Sequence, residues 1–245
     1  MAKVIKAPLD SGRWTDVGTL VRSIMPSHTV YCEPWFLEGE VFFQKPPVGV
    51  EIINDPTDKV IEFYTEALNR PEHLQFLIES TLQSDTLRRL AEDIRQGRIS
   101  ADSLGRAWAA WVGYSSQNIN RSAWLTESIG YLQNEDFVRQ KGFSFDKMIA
   151  ARLKGVHIWS RPVADVIRQA DSPDTFFYLH PTDWRQLKEV TGILDRLKGK
   201  VALLCTTPKM TEWAMQTDYL FLESDGRQKG NVIWLNFKVS RTLFK

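Results

Sequence analysis

Short β-rich runs recur along this 245-residue chain with helical patterns between them, and that alternation restricts the fold more than any other feature. The β-type runs are Thr29 to Glu33 (TVYCE), Val50 to Asn54 (VEIIN), Gly155 to Ile158 (GVHI), Thr175 to Leu179 (TFFYL) and Val201 to Thr206 (VALLCT). Between them lie PTDKVIEFYTEALN, FDKMIAARLK, PVADVIRQA and WRQLKEVTGILDRLK. In the first of these, Val60, Ile61, Tyr64 and Leu68 share one helical face, and Pro56 suits the first turn. Strands separated by helices predict a mainly parallel sheet with right-handed crossovers. Tyr219 to Leu222 and Val232 to Phe237, joined by the polar ESDGRQKGN, predict an antiparallel C-terminal hairpin. The fold class is therefore α/β of the Rossmann type, with no internal repeat or low-complexity segment.

One long stretch breaks the alternation. Pro71 to about Gly113 reads as helix interrupted only at Gly97, and predicts a helical insert over 71–144 between core segments 1–70 and 145–245. Ser115 to Asn120 and Gly130 to Ser144 read as polar loops. Within the insert, Arg88, Arg89, Arg95 and Arg98 form a basic cluster, which is either a solvated face or a phosphate-binding one. Trp108 and Trp111, three apart on one helix face, fit core packing better than base stacking because their segment is alanine-rich.

Charge limits what such a surface binds. With 31 Lys+Arg against 30 Asp+Glu the chain carries a formal charge of +1, so DNA binding requires a local patch rather than a whole-chain field. No apolar run approaches the roughly 18 residues that span a bilayer, and the N-terminus lacks a signal-type apolar stretch, so a cytoplasmic protein with no membrane partner is expected. Cys32 and Cys205 sit in apolar strand runs as buried thiols, and His28, His73, His157 and His180 make no zinc-ligand spacing.

In an α/β sheet, ligands sit beyond the carboxyl ends of the strands, which directs attention to the loops after Glu33, Asn54, Ile158, Leu179 and Thr206. Four blocks there, YCEPWFLEGEVFFQKPP, VEIINDPTDKVIEFY, RLKGVHIWSRPVADVI and DTFFYLHPTDW, resemble in this order the Dam-type adenine-specific DNA methyltransferases. The resemblance runs from about Ser11 to Phe237, and implies a methyltransferase-type Rossmann fold, S-adenosylmethionine as cofactor, and target recognition by the helical insert. On it, Glu33, Pro34, Gly39 and Asp55 fall at cofactor positions. Asp55 matches the acid on the cofactor ribose, although as a residue beside Pro56 it reads equally as a helix N-cap. His180 and Pro181 fall where the family carries the acid and proline that grip the target amino group.

The same comparison shows altered chemistry. Leu37 stands at the family's first loop glycine, with Glu38 and Glu40 flanking the second. Pro162 replaces the usual acid that reads the cofactor adenine, and Gly12-Arg13-Trp14 replaces Gly-Gly-Lys. His180-Pro181-Thr182-Asp183 replaces Asp-Pro-Pro-Tyr; a neutral imidazole has one acceptor nitrogen, and Asp183 brings charge where a tyrosine stacks on the flipped base. Removing one preorganised hydrogen-bonding group costs a catalyst about 3 to 4 kcal/mol. The expectation is a degenerate homologue with weak or absent cofactor binding. It would bind double-stranded DNA through Arg88, Arg89, Arg95, Arg98 and Lys141, or an active methyltransferase, or itself as an oligomer. The alternatives are an active adenine methyltransferase with divergent loops, and an interaction or assembly protein, such as a phage decoy, that no longer binds DNA.

Overall fold

The computed structural model describes residues 7–9, 15–81, 84–118, 147–217, 220–223 and 231–239. Lys141, Arg13 and the expected loop over 130–144 lie outside the described residues. The chain divides into two compact units, one holding Met1–Val4, Arg13–Pro56 and Gly155–Lys245, the other holding Ile5–Gly12 and Thr57–Lys154.

The first unit is an α/β sheet of Rossmann-like arrangement. Its strands are β1 (Val30–Glu33), β2 (Val50–Asn54), β3 (His157–Trp159), β4 (Thr175–Leu179), β5 (Lys200–Cys205), β6 (Leu220–Glu223) and β7 (Val232–Leu235). The order is β3-β2-β1-β4-β5-β7-β6. β1 to β5 are parallel, while β7 runs antiparallel to both β5 and β6. The expected parallel sheet and C-terminal antiparallel pair are both present. Strand limits differ by a residue or two from the sequence reading, as at β3, because hydrogen bonding to β2 begins at His157 rather than at Gly155.

Alternation along the strands sends successive side chains to opposite faces. Cys32, Ile52, Phe177, Leu179, Val201, Leu203 and Trp234 pack against α7 (Val163–Ala170), α8 (Trp184–Leu194) and α9 (Pro208–Met215). Each helix turns an apolar stripe to that core: Val163, Val166, Ile167 and Ala170 on α7, and Leu187, Val190 and Leu194 on α8. On the opposite face Tyr31 meets Phe42 and Phe176 at ring separations of 6.4 and 6.3 Å. α1 (Thr15–Ile24), which the sequence reading did not single out, buries Val17, Gly18, Val21 and Ile24. It joins the chain after β1 through Thr19 Oγ1 to Gln44 Oε1 at 3.0 Å, and a Cβ on Gly18 would lie 2.5 Å from the carbonyl of Glu40.

The second unit is helical: α2 (Asp58–Asn69), α3 (Pro71–Glu79), α4 (Asp85–Arg95), α5 (Ser103–Asn118) and α6 (Lys147–Leu153). It takes in α2, which packs on α5, and α6, which packs on α2, although the sequence places both with the core segments. The stretch after Pro71 is broken twice, not only at Gly97. A first break precedes Ser84, whose hydroxyl accepts from Leu87 N at 3.1 Å and so caps α4. The second passes through Gly97 at φ +71, a conformation glycine takes without strain. Residues 115–118, expected in a loop, continue α5. Trp108 is core, as its spacing predicts. It packs with Ala91, Ala109 and Val112, and donates from Nε1 to Thr81 Oγ1 at 2.7 Å.

Candidate functional site

Strand order reverses between β1 and β4, so the crevice beyond their carboxyl ends is where a sheet of this kind offers a ligand site. The loop after β1 fills it. Residues 34–36 and 38–43 are buried, with Phe36, Phe42 and Phe43 in edge-on or tilted ring contact at 5.0 to 6.2 Å. The backbone reverses through two left-handed residues, Leu37 at φ +44 and Gly39 at φ +70. For Leu37 that conformation is strained, and its amide is fixed by donating to Asp55 Oδ2 at 3.1 Å.

Asp55 is therefore an anchor for the loop after β1. It is 1% exposed. The N-cap of α2 is Thr57, so the helix-cap reading of Asp55 is corrected. Asn54, beside it, ties three carboxyl-end loops together. Its Nδ2 donates to the carbonyls of Pro34 at 2.9 Å and Arg161 at 3.1 Å, while its Oδ1 accepts from Arg161 N at 2.9 Å. This role was not read from the sequence.

Behind the loop lies a buried polar cluster. Period two places Tyr31 and Glu33 on one face of β1, and continues from Tyr178 to His180 at the end of β4. Tyr31 donates to Glu33 Oε2 at 2.7 Å. Glu40 reaches across so that Oε1 accepts from the Tyr178 hydroxyl at 2.8 Å and lies 2.8 Å from His180 Nδ1. Glu33 is 0% exposed, and Glu40 and His180 are each 2% exposed. Lys45 pairs with Glu51 close by, its ammonium 4.4 Å from the Tyr31 ring centre.

Electrostatics there oppose full ionisation. Burial, then the neighbouring Glu40 carboxylate, pushes the Glu33 carboxyl well above its ordinary range, against the stabilising hydrogen bond from Tyr31 and the charge of Lys45. Burial likewise raises both tyrosines, with Glu33 the next cause for Tyr31 and Glu40 for Tyr178. Glu33 Oε1 and Glu40 Oε2 have no hydrogen-bond partner among the described residues. Both thiols are free and buried, Cys205 pushed up to about 12 by desolvation and Cys32 raised by the same cause.

The remaining positions are engaged locally. Asp183 is the N-cap of α8, accepting from Arg185 N at 2.8 Å and Gln186 N at 3.1 Å; the Gln186 amide leads in holding its carboxyl below the usual range. Pro162 is the N-cap of α7. In the helical unit, Arg88 and Arg89 both pair with Asp85, at 2.9 and 2.6 Å, Arg95 pairs with Glu92 at 3.0 Å, and Arg98 with Asp93 at 2.5 Å.

No protein-family model and no curated protein matches the chain. Among the described residues no group of three or more His, Cys, Asp or Glu is placed to hold a metal, and no helix is long and apolar enough to cross a membrane. Chemically, then, the crevice holds a network whose hydrogen bonds run between the chain's own side chains, with one oxygen each of Glu33 and Glu40 left over. The structure brings Glu33, Pro34, Gly39, Asp55 and His180 to one end of the sheet, as the sequence reading expects of neighbouring strand-end loops, but spends Asp55 and His180 on the chain itself. Glu40, Tyr31 and Tyr178 were not expected as a cluster. For Tyr31 and Tyr178 the local signal is a polar group at period two inside otherwise apolar strands, and Glu40, in the loop after β1, carries none.

Proposed function

We propose that this chain is a catalytically silent homologue of the Dam-type adenine-specific DNA methyltransferases, serving as a DNA- or partner-binding subunit associated with DNA modification. The observation that carries the reading is the Glu40 bridge to Tyr178 and His180. On the resemblance, His180 sits at the base-gripping position and Glu40 in the cofactor loop, so one internal contact occupies both ends of the reaction path. The parallel sheet closed by an antiparallel C-terminal pair, with β7 between β5 and β6, supports the methyltransferase type of Rossmann fold.

The residues present do not fit S-adenosylmethionine. The acid at the ribose position, Asp55, holds the Leu37 amide; Leu37 itself stands where the family keeps glycine; and Pro162 offers no side-chain acceptor to an adenine amino group. No chemical step is drawn through the cofactor. What the chain's own residues do is close the crevice: aromatic rings exclude water, and Glu40 holds its tyrosine and histidine partners.

DNA contact through the insert would use Arg88, Arg89, Arg95 and Arg98, with Lys141 beyond the described residues. Exposed ion pairs are worth roughly 0 to 1 kcal/mol, so Arg88, Arg89 and Arg98 exchange carboxylate for phosphate at little cost, whereas the guanidinium of Arg95 is part-buried against Gly113 of α5. A second reading, an interaction or assembly protein without DNA contact, is favoured by the pairing of all four arginines with nearby acids.

Calorimetric titration with S-adenosylmethionine, together with transfer of labelled methyl groups to DNA, tests the proposal. The expected result is no binding at micromolar strength and no transfer. Micromolar binding would count against the silent reading, and methyl transfer abolished by His180→Ala would establish an active enzyme. DNA binding at low salt, with its salt slope, separates the two silent readings.

A further inference from the structure

Away from the filled crevice, the carboxyl end of β5 borders a cleft of about 620 Å³ lined by Thr206, Thr207, Pro208, Thr211, Glu212 and Asn231 among others. Sheet register explains why these residues meet. Cys205 of β5 pairs with Val232 of β7, so one step further Asn231 lies opposite Thr206, where the chain turns into α9. They are distant in sequence, and only the antiparallel return of β7 joins them.

Two polar groups on this cleft are unmatched. Asn231 is 7% exposed, and its Nδ2 donor has no acceptor among the described residues. Thr207 Oγ1 is buried without a partner, although Thr207 is the N-cap of α9 and its hydroxyl would ordinarily cap the helix. The first turn of α9 adds to this imbalance. Pro208 has no N–H, and the first amide taken up within the turn is Thr211 N, on the Thr207 carbonyl at 3.0 Å. The N–H groups of Lys209 and Met210 are the orphan donors of a helix start. Burying an unsatisfied donor carries a desolvation penalty, so a site with several of them favours a ligand rich in acceptors.

We propose that this cleft binds a phosphate-class oxyanion, as inorganic phosphate or the phosphoryl group of a phosphomonoester. The Asn231 carboxamide, the Thr207 hydroxyl and the first-turn amides of α9 donate to its oxygens, and the partial positive charge of the helix start favours the anion. Glu212, on the same cleft, selects within the class. A carboxylate accepts a hydrogen bond from the hydroxyl of hydrogen phosphate or of a phosphomonoester monoanion, whereas sulfate carries no proton at neutral pH and, like the phosphomonoester dianion, meets it as a like charge. The proposal is independent of the methyltransferase reading, since none of these residues takes part in the Glu40 network.

The test is thermal unfolding of the full chain in inorganic phosphate, adenosine monophosphate, sulfate and chloride at matched ionic strength, with isothermal titration of the first two. The expected result is a saturable rise in Tm with phosphate that exceeds the rise with sulfate. Asn231→Leu and Thr207→Val should each weaken binding by about tenfold, the equivalent of removing one hydrogen bond. Tighter binding of the monophosphate than of inorganic phosphate identifies a phosphomonoester as the source, and binding of phosphate alone identifies the free ion. A Tm response to phosphate no greater than that to sulfate or chloride, or phosphate binding unchanged in both variants, overturns the site.

Discussion

Replacing Glu33 with glutamine should remove the loss of stability that this carboxyl imposes as pH rises between about pH 5 and pH 8, leaving in both proteins the opposite contribution of His28, which burial lowers from 6.5. Glutamine has the shape of the protonated acid and keeps an oxygen for the Tyr31 hydroxyl, which lies 2.7 Å from Glu33 Oε2. In the wild type, burial first and Glu40 second raise the Glu33 carboxyl well above its ordinary value. A carboxyl that holds its proton more tightly when folded contributes stability that is complete below the unfolded value. That stability is lost as pH rises toward the folded value. One proton of difference corresponds to at most about 1.4 kcal/mol per pH unit, so the advantage of Glu33→Gln over the wild type grows by up to that much for each unit of rise within the window. Tyr31 and Tyr178 are raised from a value near 10, and Cys32 and Cys205 from 9, so they remain neutral in both states over this range. Urea unfolding of both proteins at pH 5, 6, 7 and 8, with equal m values as the check on two-state behaviour, reads the difference directly. Glu33→Gln should gain on the wild type as pH rises. A constant difference across the series would mean that Glu33 ionises normally, and would remove the argument that two carboxyls crowd this crevice.

The loop after β1 offers a second perturbation. Gly39 has φ +70, and an added Cβ would lie 2.6 Å from Phe36 Cζ, so Gly39→Ala should cost about 2 to 4 kcal/mol from strain and overpacking together, measured by urea unfolding. A loss under about 0.5 kcal/mol would show that the ring packing yields easily. On the helical unit, the double variant Arg88→Ala, Arg89→Ala should lower the magnitude of the salt slope for duplex DNA by roughly 0.9 for each phosphate the two side chains neutralise. An unchanged slope removes these two arginines from any role in DNA binding.

Several features were legible because they depend on local periodicity. The strand runs ending at Glu33, Asn54, Leu179 and Cys205 bury both faces, which a parallel sheet requires, and they stand out as apolar segments between amphipathic helices. The C-terminal pair was legible from two apolar runs about a polar turn. Trp108 was legible from its alanine-rich surroundings. Breaks in the helical stretch were harder. Gly97 signals its own turn, but Ser84 marks a helix start only through a cap bond that many serines do not make. Asp55 illustrates the ambiguity in the other direction. An aspartate before proline reads as a cap, and only the Leu37 amide arriving from another loop shows what it binds.

The sequence by itself determined the α/β class, the end of the sheet at which its loops gather, and the residue types at those loops, because hydrophobic period and residue identity are written within a few neighbours of each position. Tertiary structure alone decided what those loop residues do. Glu40 meets Tyr178 and His180 across 138 and 140 positions, and Asn231 comes to Thr206 through strand register. Such pairings are fixed by how strands and loops pack, and a buried carboxyl takes its proton, its partner and its role from whatever that packing brings to it.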